Sequence, residues 1–393
     1  MKKAFIAILF FYLIFHFIIP QIYILCFGDI HLYSDITDSG ASIKVFWLNV
    51  LPILITVSLL YILPLKNFQV KPAIRSSAAS ELFYVSMCYT VLFVIVAGGF
   101  KGIVSGALSG SLFNYVNLFL NPLVLLMAAI FLQEKKMKVV QMILIYVVVI
   151  TLSGSRSAII GIVLVFLIGI GFYNFNKYQK GIKKLLVYAS IISPVLFILA
   201  TQLRESFSAV DLSVISYVMI GRVSCIELGM IPVHFMDTNS LDFSLFFEKY
   251  GMIHQLKLIV DSLVPGDLFG FDIMPNQYYR QIFFGQSESF VLENYMSINI
   301  TFPVYLYLYF GYWSIILTVL FLLLYFIFLY KLKNNSYILL LFLPPLYHIL
   351  IYFDWVMIFN EFFVSLLTVG TLFGYKLFRN YFVESVKSDS HVN

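Results

Sequence analysis

Apolar residues fall along this chain in long unbroken runs instead of alternating with polar ones. Runs at 4–27, 45–65, 79–98, 112–132, 139–153, 157–173, 185–201, 300–330, 336–352 and 355–374 predict ten helices. A bilayer-spanning helix needs about 20 apolar residues, and backbone groups in lipid must pair within their own segment. Runs of this kind therefore predict transmembrane helices. The fifth and sixth are short and are separated only by the turn Ser153-Gly154-Ser155-Arg156. The eighth is too long for one straight span, and Gly311 is expected to divide it into an interfacial piece and the true span.

The pattern changes once, over 202–299. Asp211–His234 and Leu241–Leu263 keep helical apolar spacing, while Pro265-Gly266-Asp267 and Met274-Pro275-Asn276 mark turns. Connections this long are uncommon unless functional or separately structured. A partly helical cap lying on the membrane is expected here. The chain then divides into a seven-helix membrane region (1–201), the large loop (202–299), a three-helix membrane region (300–380) and a tail (381–393).

Composition supports a lipid solvent. The 393 residues are 61% hydrophobic, 18% aromatic and 11% charged, against about 25% charged in an ordinary soluble domain. Met1-Lys2-Lys3 before an apolar run imitates a secretory signal, but no small-x-small cleavage site follows, so a retained first span is expected. The net charge of +5 matters by position. Lys2, Lys3, Lys66, Lys71, Arg75, Lys135, Lys136, Lys138, Lys177, Lys180, Lys183, Lys184, Lys331, Lys333, Lys376, Arg379 and Lys387 fall on alternate connections, 17 of the 25 bases on one side. By the positive-inside rule both termini are cytoplasmic, and the large loop is on the opposite, periplasmic face. The fold expected is an all-α polytopic integral membrane protein with about ten transmembrane helices and one large, partly helical periplasmic loop.

Few residues are left to carry chemistry. Cys26, Cys88 and Cys225 are too scattered for a disulfide framework, and no His or acid spacing suits a metal or another cofactor. No basic, aromatic-interleaved stretch suggests nucleic acid. Arg156 sits among Ser153, Gly154, Ser155 and Ser157 at the end of two short spans. Its planar fork suits phosphate, with Ser155 as an extra donor, and a snorkelling arginine capping a hairpin fits equally well. Arg204, Arg222 and Arg280 lie in the loop on the same face, among 11 acids and five bases in all, with Glu227 five residues beyond Arg222. For each alone a solvated residue is the simpler reading, but together with Arg156 they suggest one anionic site. His234, His254, Asp272, Glu288 and Glu293 are candidate bases. Within the spans His16, His348 and Glu361 are polar in apolar surroundings, Glu361 as an ion relay or a structural partner. Asp354 is expected in the outer turn between the last two spans. Tyr305, Tyr307, Tyr309, Tyr312 and Trp313 read as an interfacial belt, or as a platform for sugar rings.

Three pieces carry a resemblance: Leu152-Ser153-Gly154-Ser155-Arg156-Ser157-Ala158 leading into a span, a late large loop containing Gly221-Arg222, and Tyr307-Leu308-Tyr309-Phe310-Gly311-Tyr312 entering a late span. The chain resembles bacterial O-antigen and capsule repeat-unit polymerases of the Wzy type, which are related to the O-antigen ligases. The motifs cover about 20 residues, while the hydropathy covers the whole chain. One departure is Tyr305, where family members often have an acid. The resemblance implies an inner-membrane glycosyltransferase acting on an oligosaccharide attached to undecaprenyl pyrophosphate, together with a separate chain-length regulator. By analogy Arg156 and Arg222 would hold the departing pyrophosphate, with Arg280 and Arg204 assisting. His254 or a loop acid would deprotonate the attacking hydroxyl, and Tyr309 would contact the glycan. An O-antigen ligase, or a flippase for the lipid-linked unit, are the alternatives. A flippase predicts charges along several spans and repeated halves, which the runs lack apart from Glu361.

Overall fold

Every regular element described in the computed structural model is helical. The described residues are 2–28, 30–32, 34–63, 77–97, 116, 118–131, 136–152, 217–218, 220–221, 223–263, 269, 275–287, 289–290, 300–332, 336–351 and 353–389. The expected spans at 157–173 and 185–201 lie outside them. Among the described residues five helices are long and apolar enough to cross a membrane: Phe5–Phe27, Ser39–Ile62, Ala78–Val96, Trp313–Lys331 and Ile358–Tyr381. A shorter apolar helix covers Met137–Val149. These helices expose apolar side chains such as Leu324, Ile95 and Leu144, as expected of surfaces whose solvent is lipid.

The first span comprises α1 (Lys2–Leu13), a π-helical turn (Ile14–Ile18) and α2 (Ile19–Phe27). The π turn has a cause in sequence. Pro20 stands four residues after His16 and lacks the N–H that the His16 carbonyl would otherwise take. Ile19 bonds back to Ile14 across the widened turn. The His16 carbonyl instead accepts the N–H of Cys225, 3.3 Å away.

The next helices are α3 (Ser39–Ile62), α4 (Ala78–Val96), α5 (Pro122–Phe131) and α6 (Lys136–Leu152). Helix α3 begins six residues before the apolar run at 45, because Asp38 caps it: its Oδ1 accepts from the Ala41 N–H at 2.9 Å.

The large loop supplies α7 (Ile226–Thr238), α8 (Ser244–Lys249), α9 (Met252–Leu263) and α10 (Pro275–Phe284). The expected helical character of this region holds where it is described, and Pro275 opens α10 instead of sitting in a turn. Helix α7 lies so close across α3 that a Cβ on Gly229 would come within 2.8 Å of Val45 Cγ1. Only glycine permits this crossing without a shift.

The eighth run divides at Gly311, as expected, into α11 (Phe302–Phe310) and α12 (Trp313–Lys331). The first piece does not continue the direction of α12. Gly311 has φ 54° and ψ −139°, which reverses the chain, so α11 folds back along α12. The ring of Phe302 thereby meets that of Phe321 at 4.7 Å. Helix α13 (Ser336–Ile351) and α14 (Trp355–Asp389) complete the fold. No helix breaker follows the expected end of the last span at 374, and α14 runs on into the segment assigned as a tail. Near its middle Tyr375 donates to Glu81 Oε2 (2.8 Å) and Arg379 to Ser77 Oγ (2.6 Å), tying it to the start of α4.

Candidate functional site

Polar side chains gather where the loop helices meet α11 and the start of α14. The α8–α9 break exposes the Tyr250 carbonyl, which takes two side-chain donors: Gln255 Nε2 at 2.8 Å and the Tyr305 hydroxyl at 3.5 Å. Gln255 Oε1 in turn accepts the N–H of Trp355 at 2.5 Å, and Asp354 Oδ1 accepts that of Val356 at 2.8 Å. Two orphan donors at the start of α14 are thus satisfied by side chains. Asp354 lies in the turn between the last two helices, as expected, and is buried there. The reason is the N–H of Phe353, which donates to the Ile300 carbonyl (3.1 Å) and draws the turn down beside the base of α11.

Aromatic rings line the same place. Tyr305 lies 4.9 Å from Tyr309 and 4.5 Å from Phe353, and Tyr309 lies 4.7 Å from Phe247 on α8. His254, beside Gln255, is buried against Tyr278 of α10, with rings 5.6 Å apart. Burial first, then Lys249 and Lys257, hold its pKa below the ordinary histidine value. Its ring is therefore held in the neutral form. Arg280 on α10 is buried with its guanidinium 5.6 Å from the Phe290 ring, and burial lowers its pKa.

A second polar group binds α7 to α3 and α11. Lys44 Nζ lies 2.5 Å from Asp237 Oδ2 and 3.4 Å from the Tyr307 hydroxyl. It also sits over the rings of Tyr307 and Tyr312 at 5.6 and 6.0 Å. One turn away His234 Nδ1 meets Asp38 Oδ2 at 2.7 Å, a contact that holds the Asp38 carboxyl below the usual carboxylate range. His234 is thus already engaged by a carboxylate. Buried Glu227 accepts the Ser34 N–H at 3.1 Å, and Tyr279 donates to the Leu228 carbonyl.

Arg156, Ser155, Arg204, Arg222, Asp272, Glu288 and Glu293 lie outside the described residues. The neighbours of Arg222 are described. Gly221 is wedged against Ile30 and Leu32, and the Val223 carbonyl lies 2.5 Å from His16 Nδ1. A carbonyl only accepts, so Nδ1 carries the proton, and the Tyr347 hydroxyl donates to Nε2 at 2.5 Å in the neutral ring. Glu361 has a partner on α13, His348, at 3.7 Å. Of the expected site, His254 and Tyr309 both border the Tyr250–Gln255 turn. Gln255, Tyr250 and Lys44 were not singled out by sequence, since a loop glutamine and a lysine near the start of a span carry no distinctive spacing. Among the described residues no group of His, Cys, Asp and Glu could hold a metal ion.

The chain matches no family model, no curated protein and no solved structure. The functional reading therefore rests on its own residues and on the motif resemblance.

Proposed function

We propose that this protein is a membrane glycosyltransferase that polymerises lipid-linked oligosaccharides, in the manner of O-antigen polymerases. The observation that carries this reading is the inward-facing polar edge of the loop. On one loop helix a neutral histidine packs against Tyr278, and the neighbouring buried amide bonds the Tyr250 carbonyl, to which Tyr305 of the apolar helix α11 also donates. A substrate with a sugar head and a polyprenyl tail requires such a junction between polar cover and apolar wall.

In the proposed reaction a hydroxyl of the incoming unit attacks the anomeric carbon of the growing glycan. The bond from that carbon to the pyrophosphate oxygen breaks, the glycosidic bond forms, and undecaprenyl pyrophosphate leaves with its electron pair. His254 takes the hydroxyl proton. Arg156 and Arg222 stabilise the charge growing on the leaving group, and the buried cation Arg280 and Arg204 supplement them. Tyr309 offers a face for a sugar ring. The site would lie on the periplasmic side of a bacterial inner membrane, and a chain-length regulator would act with it.

The test is deletion of the gene followed by gel analysis of the lipopolysaccharide. Loss of the long ladder with retention of core plus one repeat unit supports polymerase. Loss of every capped form points instead to a ligase or to a flippase.

A further inference from the structure

Helix α9 has its polarity reversed. Its buried face carries His254 and Gln255, which are 9% and 0% exposed. Its open face carries Met252, Ile253, Leu256 and Val260, of which Ile253 is 73% exposed. A helix at a water surface does the opposite. Lys257, exposed beside the apolar stripe, has a stem long enough to carry its ammonium to headgroups.

The depth of α9 follows from a chain of contacts. Tyr312 and Trp313, both largely exposed, form an aromatic pair of the kind found at membrane–water boundaries. From Trp313, α12 descends eight residues to Phe321, about 12 Å at 1.5 Å per residue. Phe321 meets Phe302, and Phe302 meets Phe353 at 4.7 Å. Trp355 then bonds to Gln255. Helix α9 is thus level with the first turns of a span, within the roughly 15 Å of hydrocarbon in one leaflet. The Tyr250 carbonyl freed by the break is paired from the protein side by Gln255 and Tyr305, which is how a broken helix at that depth satisfies its backbone.

We infer that α9 is immersed in the bilayer, with Met252, Ile253, Leu256 and Val260 against the acyl chains of the leaflet at the Trp313 end and with His254 and Gln255 facing the protein. The large loop therefore supplies part of the lipid-facing wall and is more than a cover above it. This goes beyond the proposed reaction and does not depend on it.

The test is a nitroxide scan of the full-length protein in phosphatidylethanolamine–phosphatidylglycerol vesicles, with single cysteines at 253, 256 and 260 and the exposed Cys26 and Cys88 replaced by alanine. Leu324→Cys on α12 serves as the lipid control and Ser240→Cys as the aqueous one. The expected result is a ratio of oxygen to nickel-chelate collisions several-fold above Ser240→Cys and matching Leu324→Cys. High nickel accessibility at all three positions would overturn the inference in favour of water. Low collision with both reagents would overturn it in favour of a second protein copy on this face.

Discussion

His234 and Asp38 meet across two helices, Nδ1 to Oδ2 at 2.7 Å, while the other oxygen of Asp38 caps α3. One carboxylate thus performs two tasks, and substitution separates them. Asp38→Asn keeps the cap and loses the charge. Asp38→Ala loses both and should cost a further ~0.5–2 kcal/mol, the usual worth of a cap. The thermal midpoint of the purified protein should fall in the order wild type, Asn, Ala. Because the folded carboxyl is held below its ordinary value, its contribution is present above about pH 3.9 and fades as pH falls below that. Equal midpoints for Asn and Ala would remove the cap from the account.

A neutral His254 predicts a specific pH response. Its folded pKa is depressed, so the neutral ring persists below about pH 6.5, and the associated stability is present above that pH and lost as pH falls through the folded value. Polymerisation in vesicles should keep its rate down past pH 6.5 and then decline. His254→Gln should abolish that acid limb and slow the reaction ~10²–10⁴-fold. An unchanged limb in the variant would assign the base elsewhere.

Gly311 holds a backbone conformation that a side chain strains, although a Cβ there would meet nothing within 4 Å. The cost of Gly311→Ala is therefore conformational, about 1–3 kcal/mol. Gly311→Asn should not recover it, since asparagine eases the left-handed helical region and not ψ near −139°. Melting of both variants checks this, and a wild-type midpoint for either would show that the α11–α12 reversal tolerates other geometry.

Arg156→Ala and Arg222→Ala should each abolish long polymer while membrane insertion is unchanged, as read by gel and by immunoblot of membranes. Full-length polymer from both would sink the pyrophosphate assignment.

Glu361 faces His348, which fits a structural pair between adjacent helices. Glu361→Gln should leave polymer length unchanged. Loss of polymer in a well-folded Gln variant would make the carboxylate a proton carrier.

The helical architecture was legible wherever apolar length alone decides. The runs at 4–27, 79–98 and 336–352 became helices at Lys2–Phe27, Ala78–Val96 and Ser336–Ile351 with small changes at the ends. The break at Gly311 was legible too, but not its direction, because hydropathy records how apolar a segment is and not which neighbour it turns toward. The turn at Asp354 was legible as well, but not its burial, which is set by the Phe353–Ile300 hydrogen bond between segments distant in sequence. His254 and Tyr309 could be proposed from residue type and motif. Gln255 could not, since its role depends on a carbonyl that becomes available only where α8 and α9 part.

Pro20 has a consequence for how the chain is made. It leaves the His16 carbonyl open in the first span, and the donor that fills it, the Cys225 N–H, belongs to a segment about 209 residues later. Until that segment arrives, the first helix must wait with a polar gap that lipid cannot fill. Its final seating therefore requires the Cys225 segment, so two parts of the chain far apart in sequence are completed together.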